Sequence, residues 1–279
     1  RWINQLWFAT LTWWATRRGF DVVHSHENTW HGQVQTVHVL PIKHNLFHGL
    51  EGWARLARLL NVLTSPRLVV YLLLERARYA IHEDRAVVLI SETLRTIFSL
   101  SYPGAIGMTS VIFPGIDLPA HPVGAVDRSS ARRELGLPPD KTCLLFVGND
   151  LRKKGLDALL LAMQRMPTDV VLVVVGDSAQ RPHFVQLAAQ LGLASRVFFL
   201  GALKDVSPAY RASDILVHPT LEDTFAMVVL EAMAHGLPVL VSGAKYCGIA
   251  GLLSSGINAL LIEEPRDSAL LAVLLLRLL

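Results

Sequence analysis

The chain is poor in several features that mark whole protein classes. Its only two cysteines, Cys143 and Cys247, are far apart in sequence, which excludes a disulfide framework and a cysteine-based zinc site and fits a reducing cytoplasm. Charged residues make up 18% of the 279, and 26 Lys and Arg against 23 Asp and Glu leave a net charge of only +3. That excess is too small for a general nucleic-acid binder, though it allows a local phosphate site. No apolar run reaches the roughly 18 residues of a membrane-spanning helix. Candidate runs such as 68–74 and 87–90 are bounded by Arg67, Glu75, Arg85 and Glu92. No repeat at solenoid spacing is visible. The chain starts at Arg1 rather than Met, and the apolar run 270–279 stops without a cap, so it reads as a fragment truncated at both ends.

What is present is apolar mass: 52% of residues are hydrophobic, which excludes disorder as the main state. At roughly 150 residues per domain the length suits two domains. In the second half, short apolar runs predict strands at 143–148, 170–175, 196–200, 215–218, 238–241 and 259–262. Helical patterns fall near 155–166, 181–191, 205–212, 224–235 and 267–278. A run such as VVLVVV, without polar alternation, describes a strand buried on both faces, and six of these separated by helices predict a doubly wound parallel sheet. The first half predicts strands at 21–24, 34–39, 86–90 and 110–113, with helices at 3–17, 52–63, 66–81 and 92–100. Between them FPGIDLPAHPVGAVDRSS, with Pro114, Pro119 and Pro122, reads as a hinge. The expectation is an α/β protein of two Rossmann-like domains, 1–118 and 119–279, facing a cleft.

Two segments carry chemistry. VGNDLRKKG, 147–155, follows a strand and opens a helix; Gly148 and Gly155 allow a tight turn, and Arg152, Lys153 and Lys154 add charge. A helix N-terminus with free amides and nearby cations is a recipe for a phosphate site. The spacing matches neither G-x-G-x-x-G nor a P-loop, and a solvated basic turn is the plainer reading of the loop alone. HPTLEDTFAMVVLEAMAHGLPVLVS, 218–242, places Asp223 and Glu231 eight residues apart, about 12 Å along a helix. That separation suits two parts of one elongated ligand better than a glycosidase pair. The plain alternative makes Asp223 a helix N-cap and Glu231 a solvated carboxylate. Yet Val228, Val229, Leu230, Ala232 and Met233 surround Glu231, and a carboxylate there needs a partner.

With VVHSHE, TVHVLP, VIFPGID, GALKD and DILVHP in the same order, these segments resemble the retaining GT-B glycosyltransferases, whose signature is a glutamate, seven residues and a second glutamate. The subgroup they resemble most is the lipopolysaccharide-core and cell-surface hexosyltransferases. YCGIAGLLSSGINALLI, 246–262, looks like their donor-binding loop and following strand. The resemblance implies that Glu231 binds the ribose hydroxyls and that Asp223, standing where the first glutamate is usual, contacts the donor sugar. Thr224 and Ala226 stand where glycines are usual, and Asn149 where an arginine is. Lys154 then neutralises the donor diphosphate with Arg152 or Lys153 taking the arginine's part, beside Gly148. Cys247, Gly248 and Ile249 offer backbone amides near the donor. His38 matches an active-site histidine, and Glu222 is the substitute sugar contact if Asp223 only caps the helix. The family's first strand and glycine-rich turn have no counterpart before Trp2, so the first domain is expected to be incomplete and this fragment catalytically poor.

Six histidines, His24, His26, His31, His38, His44 and His48, fall between 24 and 48. Their spacing fits no compact metal motif, and no metal or other cofactor is expected. Trp53, Leu56, Leu59, Leu60 and Leu63 alternate with Arg55, Arg58, Arg67, Arg76 and Arg78, and WINQLWFATLTWWATRR is similar. Such a basic, apolar helix can lie in an anionic membrane surface or simply pack on a core. The reading is a cytoplasmic hexosyltransferase, peripheral on the inner face of the cell membrane. It acts on a nucleoside diphosphate sugar and a glycan or lipid-linked acceptor in cell-envelope assembly. The alternatives are a nucleotide-sugar 2-epimerase, which would isomerise donor without acceptor, and a non-catalytic nucleotide-sugar binder.

Overall fold

A computed structural model of the chain describes residues 2–119 and 123–279. Two parallel sheets organise it into two compact units, the first ending at Pro114 and the second running from Gly115 to Leu279.

In the first unit, β1 (His24–Ser25), β2 (Val34–Val37), β3 (Ala86–Leu89) and β4 (Thr109–Val111) lie side by side in that order, all parallel. Helix α1 (Trp2–Thr16) precedes them; α2 (Ile42–Phe47), α3 (Gly52–Thr64) and α4 (Pro66–Arg78) connect β2 to β3; α5 (Glu92–Ser101) and a 3-10 segment, Pro103–Met108, lead to β4. Helix α2 has no counterpart among the expected elements. It is six residues long, and its first amides are capped from outside: the buried Glu75 carboxylate of α4 accepts from Ile42 N at 2.5 Å and Lys43 N at 2.9 Å, and from the Tyr102 hydroxyl at 2.7 Å. Helix α4 stops at Arg78, short of the expected 81; Arg85 supplies donors to the carbonyls of Ala77, Arg78 and Ala80 at its end.

The second unit opens with α6 (Ala125–Glu134), so the expected hinge ends at Gly124, whose amide donates to Asp127 in the first helical turn; residues 120–122 of that hinge lie outside the described residues. Arg132 of α6 bonds Asp214 at 2.7 Å, and Asp214 also accepts the amide of Cys143 at 2.8 Å, fixing α6 to the sheet. The sheet then alternates with helices as far as β9: β5 (Thr142–Val147), α7 (Leu156–Met163), β6 (Val170–Val175), α8 (Arg181–Gln190), β7 (Val197–Gly201), α9 (Ser207–Ala212), β8 (Ile215–His218), α10 (Met227–Ala234) and β9 (Val239–Ser242); a 3-10 segment, Gly248–Leu252, links β9 to β10 (Leu260–Ile262), and α11 (Ser268–Leu276) follows. All six residues of β6 are buried, as a strand covered on both faces requires. The strand order is β10-β9-β8-β5-β6-β7, all parallel. Counting the unit's strands from one to six, this is the order 3-2-1-4-5-6 read from the β7 edge, and the direction of winding reverses between β5 and β8. Ligands of such sheets sit beyond the carboxyl ends of the strands at that reversal.

Candidate functional site

The two loops that leave β5 and β8 meet at the reversal. Gly155 takes φ +84°, and a Cβ there would lie 2.0 Å from the carbonyl oxygen of Pro219, so only glycine lets the β5 loop press on the β8 loop. Leu221 N donates to Lys153 O at 2.8 Å, joining the loops through the backbone. At Gly148 a Cβ would meet Lys154 Cγ at 2.9 Å; the bare glycine lets the lysine stem lie flat and aim its ammonium at the β8 loop.

That ammonium pairs with Asp223 Oδ2 and sits 3.4 Å from the carbonyl of Glu222. The same carboxylate oxygen is 3.2 Å from His218 Nε2, and Oδ1 accepts the amide of Phe225 at 3.2 Å. Burial alone would raise the pKa of Asp223; the His218 N–H and the Lys154 ammonium outweigh it and hold the carboxyl well below the usual range. Burial lowers the pKa of His218. Lys153 forms a second pair, with Glu222 Oε1 at 2.5 Å, but both side chains are about 40% exposed, so that pair adds little stability. Arg152 turns away from both pairs, toward His183 at 3.2 Å and Asp157 at 3.9 Å.

The loop differs from the expected cradle of free amides. The amides of Arg152, Lys153, Lys154, Gly155 and Leu156 donate to Gln180 Oε1, Asp150 Oδ1, Asp150 O, Arg152 O and Leu151 O. Its positive character toward a ligand therefore comes from Lys153 and Lys154 side chains. Cys247, Gly248 and Ile249 are likewise committed: their amides donate to Gly243 O, Asp223 O and Phe225 O at 3.1, 3.0 and 2.9 Å. They pin the following loop to Asp223 in a short parallel bridge rather than offering donors.

Asp223 does not cap α10. The residue in that place is Ala226, in the left-handed region at φ 73° and ψ 71°, and no side chain caps the helix. Among the described residues Ala226 is the one non-glycine with positive φ, where an alanine is strained. In the first turn of α10 the amide of Val229 donates to Ala226 O at 3.0 Å, and the cap residue offers no side-chain acceptor to the others.

Glu231, one and a quarter turns into α10, finds its partner in Tyr210 of α9, whose hydroxyl donates to Oε2 at 2.5 Å. Tyr210 stacks on His235, with ring centroids 5.0 Å apart. Burial and the Glu231 carboxylate raise the Tyr210 pKa. Glu231, Tyr210, His235, Lys204 and Val206 line a cavity of about 380 Å³. Neither His218 nor Tyr210 stands out in the sequence. The signal for His218 is a polar residue closing the otherwise apolar strand ILVH; for Tyr210 there is none.

His38 follows β2 in the first unit, with Nε2 2.7 Å from His26 Nδ1, and the His26 ring lies 4.4 Å from that of His24. Desolvation, then the neighbouring imidazoles and Arg78, lower the His38 pKa. Among the described residues no group of three or more His, Cys, Asp or Glu side chains has the geometry to hold a metal ion.

The family described as "Glycosyl transferases group 1" matches residues 127–279. A D-inositol 3-phosphate glycosyltransferase of Catenulispora acidiphila is 36% identical over 179 residues, covering 58% of this chain and 41% of the relative. One from Mycobacterium bovis is 34% identical over 187 residues, covering 62% and 38%. The chain therefore spans about two fifths of the length of these curated relatives. Among solved structures, WaaG, a glycosyltransferase involved in lipopolysaccharide biosynthesis, superposes with a TM-score of 0.82 at 25% identity, over 99% of this chain and 73% of that one. Anabaena HepE, in complex with UDP and glucose, superposes with a TM-score of 0.71 at 23% identity, over 99% and 66%, a likeness of fold.

Proposed function

The chain belongs to the group 1 glycosyl transferases and has the GT-B fold, and from that premise we propose that it moves a hexose from a nucleoside diphosphate sugar to a glycan or lipid-linked acceptor, with retention at the anomeric carbon. The reaction belongs to cell-envelope polysaccharide or lipopolysaccharide assembly. The second domain, 119–279, takes the nucleotide sugar, and the first, 1–118, serves the acceptor side. The observation that carries this reading is the pairing of Lys154 with Asp223 at the sheet reversal, next to the uncapped start of α10.

The chemistry follows from those groups. Lys154 and Lys153 face the diphosphate, and the first-turn amides of α10 add partial positive charge. As the sugar–phosphate bond breaks, negative charge grows on the leaving diphosphate, and these fixed groups stabilise it. In this reading lysine side chains, rather than a metal ion, do the neutralising. Asp223 holds the sugar, Glu231 the ribose hydroxyls in the cavity it shares with Tyr210, and His38 touches the sugar or the acceptor. The neighbours support the ligand class: WaaG acts in lipopolysaccharide biosynthesis, and HepE binds UDP and glucose.

The first unit suggests how a lipid-linked acceptor is met. No single helix among the described residues is long and apolar enough to cross a membrane; α3 and α4 together pass on length and composition but meet at 97°. Trp53, Leu56, Leu60 and Leu63 of α3 are exposed beside Arg55 and Arg58, and an apolar cavity of about 800 Å³ opens between α3 and α4. This face docks on the anionic inner surface of the cell membrane. Co-sedimentation with vesicles containing anionic lipid, but not with neutral ones, is the expected result.

The decisive experiment for the activity is a thermal-shift screen of nucleoside diphosphates, followed by a transfer assay with the matching nucleotide sugar and the full-length protein. A ligand of the native state raises the melting temperature. One base should do so and its sugar should be transferred. No shift with any base, or conversion of donor to its epimer without acceptor, overturns the proposal.

A further inference from the structure

If the chain is the transferase proposed above, His218 is a buried polar residue of its site with no role yet assigned. His218 ends β8 with its side chain fully buried. Its Nε2 lies 3.2 Å from Asp223 Oδ2, the oxygen that also receives the Lys154 ammonium. An ionised carboxylate accepts only, so Nε2 carries a proton; burial favours the neutral ring, which leaves Nδ1 bare. Among the described residues Nδ1 has no hydrogen-bond partner. A bare, buried imidazole nitrogen is costly, and an apolar residue would fill the end of this strand without that cost. The bond to Asp223 is the one polar use the His218 ring has among the described residues.

We propose that His218 is a positioning residue of the transferase site: its Nε2–H holds the Asp223 carboxylate in place and ionised when Lys154 leaves it for the donor diphosphate. One ammonium cannot serve both anions at full strength. Without a second donor, Asp223 would be left buried and unpaired at the moment the diphosphate arrives, a costly state. With His218 behind it, the carboxylate keeps one donor on Oδ2 and the Phe225 amide on Oδ1. The shorter aspartate is thus anchored at both oxygens where the family pattern has a longer glutamate. The charged and titratable groups that face this carboxylate are His218, Lys154 and the buried Cys247 thiol.

The test uses His218→Leu, which removes the donor and fills the space, and His218→Gln, whose Nε2 can replace it. In the full-length enzyme, Leu should lower kcat with saturating donor by about ten- to a hundredfold. The melting temperature should be unchanged or higher, and the affinity for the bare nucleoside unchanged. Gln should restore most of kcat. A readout independent of turnover is the carboxyl ¹³C resonance of Asp223, whose titration should move upward in pH in the Leu variant and return toward wild type in the Gln variant. An Asp223 titration unmoved by Leu, an unchanged kcat, or a Gln variant as slow as Leu overturns the positioning role. Wild-type protein that transfers no sugar while Asp223 still responds to His218→Leu removes the transferase reading, and with it the catalytic half of the inference, but leaves the anchoring of Asp223 standing.

Discussion

Lys154 reaches from the loop after β5 to the carboxylate of Asp223 in the loop after β8, 69 positions along the chain. The pair closes the sheet reversal with one cation and one anion, both mostly buried, and a donor diphosphate competes with Asp223 for the same ammonium.

Lys154→Ala should therefore separate phosphate from base. A charge-assisted hydrogen bond contributes about 1.5–3 kcal/mol, so affinity for the nucleoside diphosphate should fall by roughly ten- to a hundredfold. Affinity for the nucleoside should change little. Calorimetry with both ligands checks this, and equal losses for the two would move the diphosphate elsewhere.

Glu231→Gln should weaken nucleotide binding to a similar degree, about tenfold or more, because a charged acceptor for the ribose hydroxyls becomes a neutral one. The fold should survive, since the Tyr210 hydroxyl can donate to the amide oxygen as it does to the carboxylate. Unchanged affinity, at an unchanged melting temperature, would release Glu231 from the ribose.

How far these sites could be read from the sequence depends on how local their causes are. The run VVLVVV announced β6 because burial on both faces leaves no polar alternation, and the helical pattern expected at 224–235 put Asp223 ahead of α10 and Glu231 within it. What stayed hidden depends on distant partners. Helix α2 is capped by Glu75 from 33 positions away. The amide of Arg152 in the β5 loop is taken by Gln180, which heads α8, so a loop that looks like an anion cradle has spent that donor. Cys247 bridges to Asp223, and His218 turns inward to the same residue; neither direction is written in the local pattern.

Ala226→Gly should stabilise the protein. Alanine in the left-handed region costs about 1 kcal/mol or more, and glycine occupies it freely, at some cost in unfolded-chain entropy. The net expectation is a gain of up to about 1 kcal/mol, read as a melting temperature higher by a few degrees. A lower melting temperature would show that the Ala226 methyl, which is buried, contributes more by packing than its backbone loses.

The acid response should carry the mark of His218. Desolvation lowers its folded pKa, with Asp223 pulling the other way, while the unfolded ring titrates near about 6.5. Between those two values the unfolded state binds the extra proton, so the contribution to stability is lost as pH falls below about 6.5. His218→Leu removes the titrating group. The difference in unfolding midpoint between variant and wild type should grow in the variant's favour as pH is lowered from about 7.5 to about 5.5. A difference that is flat across that range would mean that His218 stays neutral, or becomes charged, in both states alike.

Asp223 itself is the position where the chain departs from the family pattern, and the geometry narrows what its variants should do. A helix cap would tolerate asparagine, because Asn caps about as well as Asp. Yet Ala226 stands at the cap of α10, and the Asp223 carboxylate is turned to Lys154 and His218 instead. Asparagine there keeps one acceptor oxygen but loses the charge that both partners address, so Asp223→Asn should lower turnover by about a hundredfold at saturating donor. Asp223→Glu restores the usual family residue in a loop whose bridge to Cys247 and whose Ala226 turn are set for the shorter side chain, so it should also be slower than wild type. Glu222→Gln breaks only the half-exposed pair with Lys153 and should leave the rate within about threefold, in line with the small energy of such pairs. Steady-state rates of the three variants with one nucleotide sugar decide the matter: a near-normal Asp223→Asn together with a crippled Glu222→Gln would transfer the sugar contact to Glu222 and leave Asp223 as a strut between the two loops.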